Sequence, residues 1–163
     1  MLTAVERALL IDKIRVLPDE LERLVAPLSD EQLDARPTSE WSVRQNVHHL
    51  ADSHMNAFIR VKLALLEDHP TLKPYNQDDW ADSIDGKNPP ISYSMAILRG
   101  LHARWVALFA SLSDEQFQRT AYHPENGDMR VEDFLSHYAA HGEGHLIQIR
   151  EALAAANIAV TWA

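Results

Sequence analysis

The chain has 163 residues, of which 46% are hydrophobic, and it carries a formal net charge of −9. This length and composition are typical of one globular domain, so we treat residues 1–163 as a single domain with its own core. The acidic balance and scattered Lys and Arg argue against a nucleic-acid surface, which normally shows a basic patch. The absence of cysteine excludes thiolate metal sites, disulfides and cysteine nucleophiles.

Charged residues interrupt the apolar run at the N-terminus. Glu6, Asp12 and Lys13 all fall within the first sixteen residues. A signal peptide or a membrane span needs a longer uncharged stretch, so we expect neither one. A chain without cysteine is also compatible with a reducing compartment. We therefore expect a cytoplasmic protein that associates with neither membrane nor nucleic acid.

Helical spacing of apolar residues predicts four long helices. The first covers residues 3–26 and is interrupted by Pro18, where we expect a kink or two abutting segments. The second begins after the N-cap Ser42, whose capping box is completed by Gln45, and runs to about Glu67. The third and fourth are predicted over residues 92–112 and 131–156.

Two connections between these helices have features of their own. Residues 68–91 are rich in proline and show no sustained period, and a loop of this length inside a compact domain is usually functional or disordered. Tyr75 and Trp80 predict that this loop is ordered, with the two rings serving as walls of a pocket. Asn126 and Gly127 predict a small hairpin before the fourth helix.

The sequence contains an internal echo. The motif LSDEQL at residues 28–33 returns as LSDEQF at residues 112–117, 84 residues later. The pattern around His49 in the second helix returns around His137 in the fourth, 88 residues later. We interpret the chain as an all-α four-helix bundle made of two helix-hairpin halves related by a pseudo-two-fold. Coincidence between helices rich in Leu and Ala is the alternative.

The strongest chemical signal is a pair of histidines in the fourth helix. His141 and His145 are four residues apart, so their side chains share one helix face and can bind one metal ion. A single inward histidine is usually a hydrogen-bonded core residue, but burying two without a use costs desolvation energy. Glu143 is on another face of the helix, so the pair is not the His-Glu-x-x-His motif of zinc proteases.

A third ligand is expected from the second helix, because metal sites in bundles draw on facing helices. Periodicity leaves three candidates open. His54 lies nearest the middle of the main apolar stripe. His49 lies on a polar strip with Ser53 and Arg60, where a cavity is plausible. The remaining candidate, His48, is equally compatible with the spacing.

Residues 41–56 and 59–65, together with the final histidine pair, resemble the DinB/YfiT-like superfamily. The resemblance covers nearly the whole chain and is strongest to the YfiT branch of metal-dependent hydrolases, which is similar to the bacillithiol S-transferases. It implies a four-helix bundle with zinc or nickel held by three histidines, and it implies a homodimer. Carried over to this chain, the ligands are His49, His141 and His145, and His137 has no ligand role.

Three neutral imidazoles with an open coordination position are typical of catalytic metal sites. We therefore predict a metal-dependent enzyme acting on a small molecule, either a hydrolase or a thiol S-transferase. Arg60 is the candidate catalytic residue for an anionic group of the substrate, and Asn46 or Asp52 is expected to hold the second ring nitrogen of His49. A non-catalytic metal- or ligand-binding stress-response bundle is the alternative. The apolar tail at residues 158–162 is expected to pack on the chain itself or on a partner subunit.

Overall fold

A computed structural model describes residues 1–37 and 40–159 of the chain. Most of the predicted tail therefore lies outside the described residues. In chain order the elements are α1 (Ala4–Val25), α2 (Asp30–Leu33), α3 (Val43–Leu66), α4 (Gln77–Ala81), α5 (Ile84–Lys87), α6 (Ser92–Ala110), α7 (Asp114–Phe117), β1 (Thr120–His123), β2 (Gly127–Arg130) and α8 (Val131–Ala155).

Local sequence signals explain where several helices begin. In a capping box, the N-cap hydroxyl accepts from the backbone N–H three residues on, and the side chain at that position accepts from the N-cap N–H. Each such cap typically stabilises a helix by about 1 kcal/mol. Both copies of the LSDEQ motif form a short helix with this cap, and α3 starts at its predicted box. The boxes are formed by Thr3 and Glu6, Ser29 and Gln32, Ser42 and Gln45, and Ser113 and Gln116.

Pro18 lies inside α1 rather than between two helices. The helix is continuous over 22 residues from Ala4 to Val25, so the expectation of two abutting segments is wrong. Burial explains how the helix tolerates the proline, since Leu17, Pro18 and Leu21 all pack into the core. Tertiary packing of an apolar face contributes more to helix stability in proteins than local propensity does.

The four long helices form the predicted bundle, with one difference in connectivity. Both α1 and α3 pack along α6 and α8. The two long helices of each half of the chain are therefore diagonal partners rather than side-by-side hairpins. The segments that link α1 to α3 and α6 to α8 must cross an end of the bundle, and in each link the capped LSDEQ helix forms part of that crossing.

The long connection after α3 is ordered, as its aromatic residues predicted. It contains the short helices α4 and α5, and Gln45 of α3 donates its side-chain N–H to the Ala81 carbonyl oxygen at 2.9 Å. Its first part pairs with the predicted hairpin of β1 and β2, because the Leu72 N–H donates to the Tyr122 carbonyl oxygen at 2.8 Å. The hairpin turns at Gly127, whose φ of 74° favours glycine.

The buried apolar residues form two separate clusters at different heights in the bundle. One cluster includes Ile14, Phe58 and Trp105, and the other includes Leu50 and Ile149. Buried histidines from α3, α6 and α8 contact one another within the same bundle, as described below. Within the described residues, none of the helices combines the length and apolar character needed to cross a membrane.

Candidate metal centre

Three imidazoles converge between α3 and α8. The Nε2 atom of His141 lies 3.3 Å from Nε2 of His49 and 3.2 Å from Nε2 of His145. One nitrogen from each ring can be chosen so that all three lie within 4.8 Å of one another. The structure therefore brings together the three residues that the sequence resemblance identified as metal ligands.

The facing helix decides which histidine joins the pair. His48 turns away from α8, and its Nδ1 lies 2.7 Å from Ser94 Oγ while its Nε2 lies 3.1 Å from the Pro89 carbonyl oxygen. His54 is completely enclosed and contacts the far side of His141, with its Nε2 3.2 Å from His141 Nδ1. Only His49 of these candidates presents a ring nitrogen to Nε2 of His141, so the geometry favours His49 among the three candidates that periodicity left open.

An aromatic ring covers the cluster at the end of the bundle where α3 begins. The Trp41 ring is stacked with His145 at a centroid distance of 6.1 Å and an interplanar angle of 9°. Its centroid also lies 4.6 Å from that of His49. Trp41 was not predicted as a site residue, although its position directly before the N-cap of α3 places it beside the first turns of that helix.

Burial keeps the three imidazoles neutral. Burial, reinforced by the neighbouring His145, lowers the pKa of His49 to about 3. Burial and the other histidines, chiefly His145, lower the pKa of His141 to about 2, and burial lowers the pKa of His145 to about 4. Neutral imidazole is the form that binds metal ions, so the environment favours the ligand form of all three residues.

Two successive hydrogen bonds orient the His145 ring. The side-chain N–H of Asn46 donates to the Ser42 carbonyl oxygen at 2.9 Å, which turns Asn46 Oδ1 towards α8. His145 Nδ1–H donates to that oxygen at 2.7 Å. Asn46 was expected to hold the second ring nitrogen of His49, but the imidazole that it holds is that of His145. Among the described residues, no hydrogen bond joins the other candidate, Asp52, to His49.

The arrangement fits a divalent ion. With its Nδ1 proton donated to Asn46, neutral His145 carries a lone pair on Nε2, and that lone pair points at His141. Zn–N bonds of 2.0–2.1 Å at tetrahedral angles place two ligand nitrogens roughly 3.3 Å apart. The Nε2 separations of 3.2 and 3.3 Å match this value. An all-imidazole donor set suits zinc and nickel better than magnesium or calcium, which prefer oxygen ligands.

A cavity of about 1050 Å³ opens beside the cluster. His141 lines this cavity on the α8 side, and Ser53 and Arg60 line it on the α3 side. The polar strip of α3 therefore faces a cavity, as its pattern predicted. Tyr75 forms part of the wall, as expected. Trp80 supports that wall from outside, with its ring centroid 4.6 Å from that of Tyr75.

Arg60 is the charged group of α3 that faces this cavity. Only 9% of its surface is exposed, and one guanidinium N–H donates to the Lys73 carbonyl oxygen at 2.6 Å. The guanidinium also lies 5.7 Å from the Tyr75 ring centroid. In the described part of the chain, no carboxylate lies within ion-pairing distance of Arg60, so a buried positive charge faces the cavity without an anionic partner.

Two other residues of α8 lie outside the cluster. Glu143 pairs with Lys13 of α1 at 2.8 Å and is half exposed, so it points away from the histidines as predicted. His137, which the internal echo aligns with His49, is partly exposed at the cavity rim. Its ring centroid lies 5.9 Å from that of His141, and it does not join the converging nitrogens.

Fold and site together define a helical bundle with a largely buried three-imidazole cluster beside a large polar cavity. Comparison with known proteins agrees with this class: the model of the DinB superfamily matches residues 13–149. The chain belongs to the DinB superfamily. The family prediction made from the motifs of α3 and α8 is confirmed.

Relatives cover most of the chain. A protein of Oceanobacillus iheyensis named "putative metal-dependent hydrolase" is 45% identical over 140 residues, which are 85% of this chain and 81% of that protein. A protein of Bacillus mycoides with the same description is 42% identical over 147 residues, 88% and 84% of the two chains. The solved structure of YfiT from Bacillus subtilis, described as a "probable metal-dependent hydrolase with an unusual four-helix bundle topology", has a TM-score of 0.93. It is 37% identical and covers 98% of this chain and 92% of that chain.

Proposed function

We propose that the protein is a metal-dependent enzyme in which His49, His141 and His145 hold a divalent ion, zinc or nickel. The observation that carries this proposal is the convergence of three neutral imidazole nitrogens at the edge of a cavity of about 1050 Å³. Cavities of several hundred Å³ with a few convergent polar groups are typical of small-molecule sites. The names of the relatives in Oceanobacillus and Bacillus point in the same direction.

The reaction proposed first is hydrolysis of an ester or amide bond in a small molecule. A divalent ion with three imidazole ligands and an open position lowers the pKa of a bound water or thiol, and so supplies a nucleophile near neutral pH. The residues of the chain have three tasks around it. The three imidazoles would hold the ion, Trp41 covers the His49 and His145 rings, and Arg60 would bind the substrate in the cavity.

The second reaction is transfer of a thiol to an electrophile, which uses the same site. Metal coordination deprotonates thiols, so the open position serves a thiol substrate as well as water. The chain has no cysteine, and the thiol would therefore have to come from a small-molecule substrate. This candidate is favoured by the size of the cavity, which has room for two reactants beside His141.

Arg60 is assigned to an anionic group of the substrate, such as a carboxylate or phosphate. A buried guanidinium without an anionic partner carries a desolvation cost, and a bound anion would offset that cost. Charge-assisted hydrogen bonds to a guanidinium are about twice as strong as neutral ones. The Arg60→Gln variant should raise KM for anionic substrates about tenfold or more while leaving neutral analogues unaffected. The Arg60→Lys variant, which keeps the charge, should recover part of the loss.

The deciding experiment is a turnover assay with the metal-loaded protein. One panel holds esters and amides with and without a carboxylate, and a second combines small thiols with electrophiles. We expect turnover in one panel and none in the His49→Ala variant. Metal binding without turnover in either panel would support the alternative of a non-catalytic binding bundle. Turnover that persists in His49→Ala would overturn the site assignment.

We also propose that the protein acts in the cytoplasm as a homodimer, without nucleic-acid or membrane partners. Exposed apolar side chains support an interface on α1, where Val5, Leu9 and Val16 share one outer face. The chain mass is 18.5 kDa. Sedimentation at micromolar concentration should therefore show a species of twice this mass. A single monomeric species would contradict the proposed dimer.

A further inference from the structure

Pro18 leaves one backbone carbonyl of α1 without its helical partner. In an α-helix the carbonyl of residue i−4 accepts from the N–H of residue i, and proline has no N–H. The Ile14 carbonyl is therefore free at this point in the buried face of α1, where Ile14 itself is fully buried. A buried carbonyl without a donor costs free energy, so another group is needed to satisfy it.

That group is a histidine from α6. The Nδ1 atom of His102 lies 2.6 Å from the Ile14 carbonyl oxygen, and His102 is 1% exposed. A carbonyl oxygen only accepts hydrogen bonds, so His102 Nδ1 carries the proton and donates it. Neutral imidazole has one N–H, which leaves His102 Nε2 as an acceptor.

The next two contacts carry this constraint to the metal centre. His102 Nε2 lies 2.8 Å from His54 Nδ1, so His54 Nδ1 is the donor of that bond. His54 Nε2 is then an acceptor, and it lies 3.2 Å from His141 Nδ1. Nδ1 of His141 must therefore carry the proton, and Nε2 of His141 carries a lone pair.

Proton counting agrees with this assignment. The neutral rings of His54, His102 and His141 carry one N–H group each. These three N–H groups supply the donors of the three hydrogen bonds that run from His141 to the Ile14 carbonyl oxygen. Burial lowers the pKa values of His54, His102 and His141, which keeps all three rings neutral. The His54 and His102 rings are also nearly parallel, at an interplanar angle of 13° and a centroid distance of 5.0 Å, which is the edge-to-edge arrangement that a hydrogen bond in the plane of both rings requires.

We infer that the Ile14 carbonyl, His102 and His54 form a positioning chain that fixes the tautomer of His141 and presents its Nε2 lone pair to a divalent ion. The inference rests on the metal centre proposed above. It also assigns a role to Pro18, which leaves the Ile14 carbonyl oxygen free to accept a hydrogen bond from His102. His54 and His102 touch neither the ion nor the cavity beside His141. They are positioning residues.

The consequence is a site arranged for the ion before the ion arrives. His145 Nε2 already carries a lone pair because Asn46 holds its Nδ1 proton. With His141 in the assigned tautomer, two lone pairs face each other at 3.2 Å, which is a repulsive contact and not a hydrogen bond. If His141 were free to change its tautomer, its Nε2–H would donate to His145 and close the site. The positioning chain prevents this by holding the proton on Nδ1.

The test begins with the metal-free protein. Nitrogen-15 NMR of the histidine rings should show the Nδ1–H tautomer for His141, His54 and His102. Observation of His141 as the Nε2–H tautomer would overturn the inference. This measurement needs no metal and no activity. A wild-type protein that shows the assigned tautomers but binds no ion would contradict the proposed function while leaving the tautomer chain intact.

Two substitutions of His102 then separate positioning from packing. In His102→Gln the amide oxygen can take the place of Nε2 and accept from His54, whereas His102→Leu has no acceptor. Zinc affinity, measured by competition with a chromophoric chelator, should fall about 10- to 100-fold in His102→Leu and much less in His102→Gln. Equal affinities in the wild type and His102→Leu would overturn the inference.

Leu98→Ala is the matched control on α6. Leu98 is fully buried, so the substitution should destabilise the fold without touching the histidines. It should leave both the zinc affinity and the ring tautomers unchanged. A Leu98→Ala variant that loses zinc affinity as much as His102→Leu would show that loss of stability alone accounts for the effect, and would overturn the inference.

Discussion

The helices α3 and α8 have similar sequences in the two halves of the chain, but they contribute differently to the site. Each follows a capped LSDEQ helix, and each carries a histidine at the same place in the echo, His49 in α3 and His137 in α8. His49 is buried in the cluster and His137 is partly exposed at the cavity rim. One and two turns later α8 has His141 and His145, where α3 has Ser53 and Ala57 at the equivalent positions, 88 residues earlier.

The comparison shows that the echo repeats helix boundaries and packing rather than chemistry. Caps and apolar spacing recur because each helix packs lengthwise against two neighbours, α3 against α6 and α8, and α8 against α1 and α3. The converging histidines do not recur, since α3 contributes one of them, His49, and α8 contributes two, His141 and His145. The pseudo-symmetry is broken at the positions where the chemistry lies.

Removal of a cluster histidine gives the largest expected effect. We expect near-stoichiometric metal in the purified wild type and almost none in His141→Ala, since a two-imidazole site binds ions far more weakly. His137→Ala is the matched control from the same helix face and should keep its metal. Elemental analysis of the three proteins measures this directly. Full metal in His141→Ala, or its loss only in His137→Ala, would reverse the roles of the two positions.

Acid should destabilise the metal-free protein strongly. An unfolded histidine has a pKa of about 6.5, whereas the pKa values of His49, His141 and His145 in the folded protein are about 3, 2 and 4. Below pH 6.5 the unfolded state therefore binds more protons. The stability that comes from keeping these rings neutral is fully present above pH 6.5 and is lost as the pH falls towards 4.

Each of these histidines contributes a slope of up to about 1.4 kcal/mol per pH unit in that window. The free energy of unfolding, measured by urea titration between pH 7.5 and 5, should reveal the combined slope. In His49→Ala the slope of the unfolding free energy against pH should decrease by up to about 1.4 kcal/mol per pH unit, because one fewer histidine binds a proton on unfolding. An unfolding free energy that is flat from pH 7.5 to 5 would contradict burial of the three rings in the neutral form.

Asn46 lies on α3 but orients the His145 ring of α8, so its loss should weaken the proposed metal site. Asn46→Leu removes the acceptor for His145 Nδ1 and should weaken zinc binding about 10- to 100-fold. Asn46→Asp keeps an acceptor oxygen at the same reach and should bind zinc much more tightly than Asn46→Leu. Chelator competition compares them. Equal affinities for the two variants would show that the hydrogen bond to His145 does not matter.

A pair of glycines in α8 gives the smallest expected effect. Gly142 stands where α3 has His54, and a Cβ atom there would lie 2.5 Å from Leu17 Cδ2 of α1. Gly142→Ala should therefore cost about 1–3 kcal/mol of unfolding free energy through crowding of Leu17, which is packed in the core, and the higher helix propensity of alanine should offset up to about 1 kcal/mol of that loss. Gly144 has open space around its Cα, so Gly144→Ala should be neutral or stabilise by up to about 1 kcal/mol. Equal thermal midpoints would contradict the close approach of α8 to α1.

Much of the fold could be predicted because its signals are local. The box of Ser42 and Gln45 marks the start of α3, and apolar spacing marks its length. The turn at Gly127 and the start of α8 follow from similar short-range chemistry. The connectivity of the helices could not be predicted from local signals. The diagonal arrangement of α1 and α3 depends on how the linking segments cross the end of the bundle, and no short-range pattern encodes that path.

The candidate site divides in the same way. The sequence alone determined that His141 and His145 share a helix face, because the period of the α-helix places residues four apart side by side. The family motif supplied His49, whose metal binding stays a prediction. Only the tertiary structure decided that Asn46 accepts from His145, that Trp41 packs beside the cluster and that the Ile14 carbonyl is connected to His141 through His102 and His54. Hydrogen bonds between helices depend on relative rotation and distance of the helix axes, which are set by packing of the whole core and not by the period of any one helix.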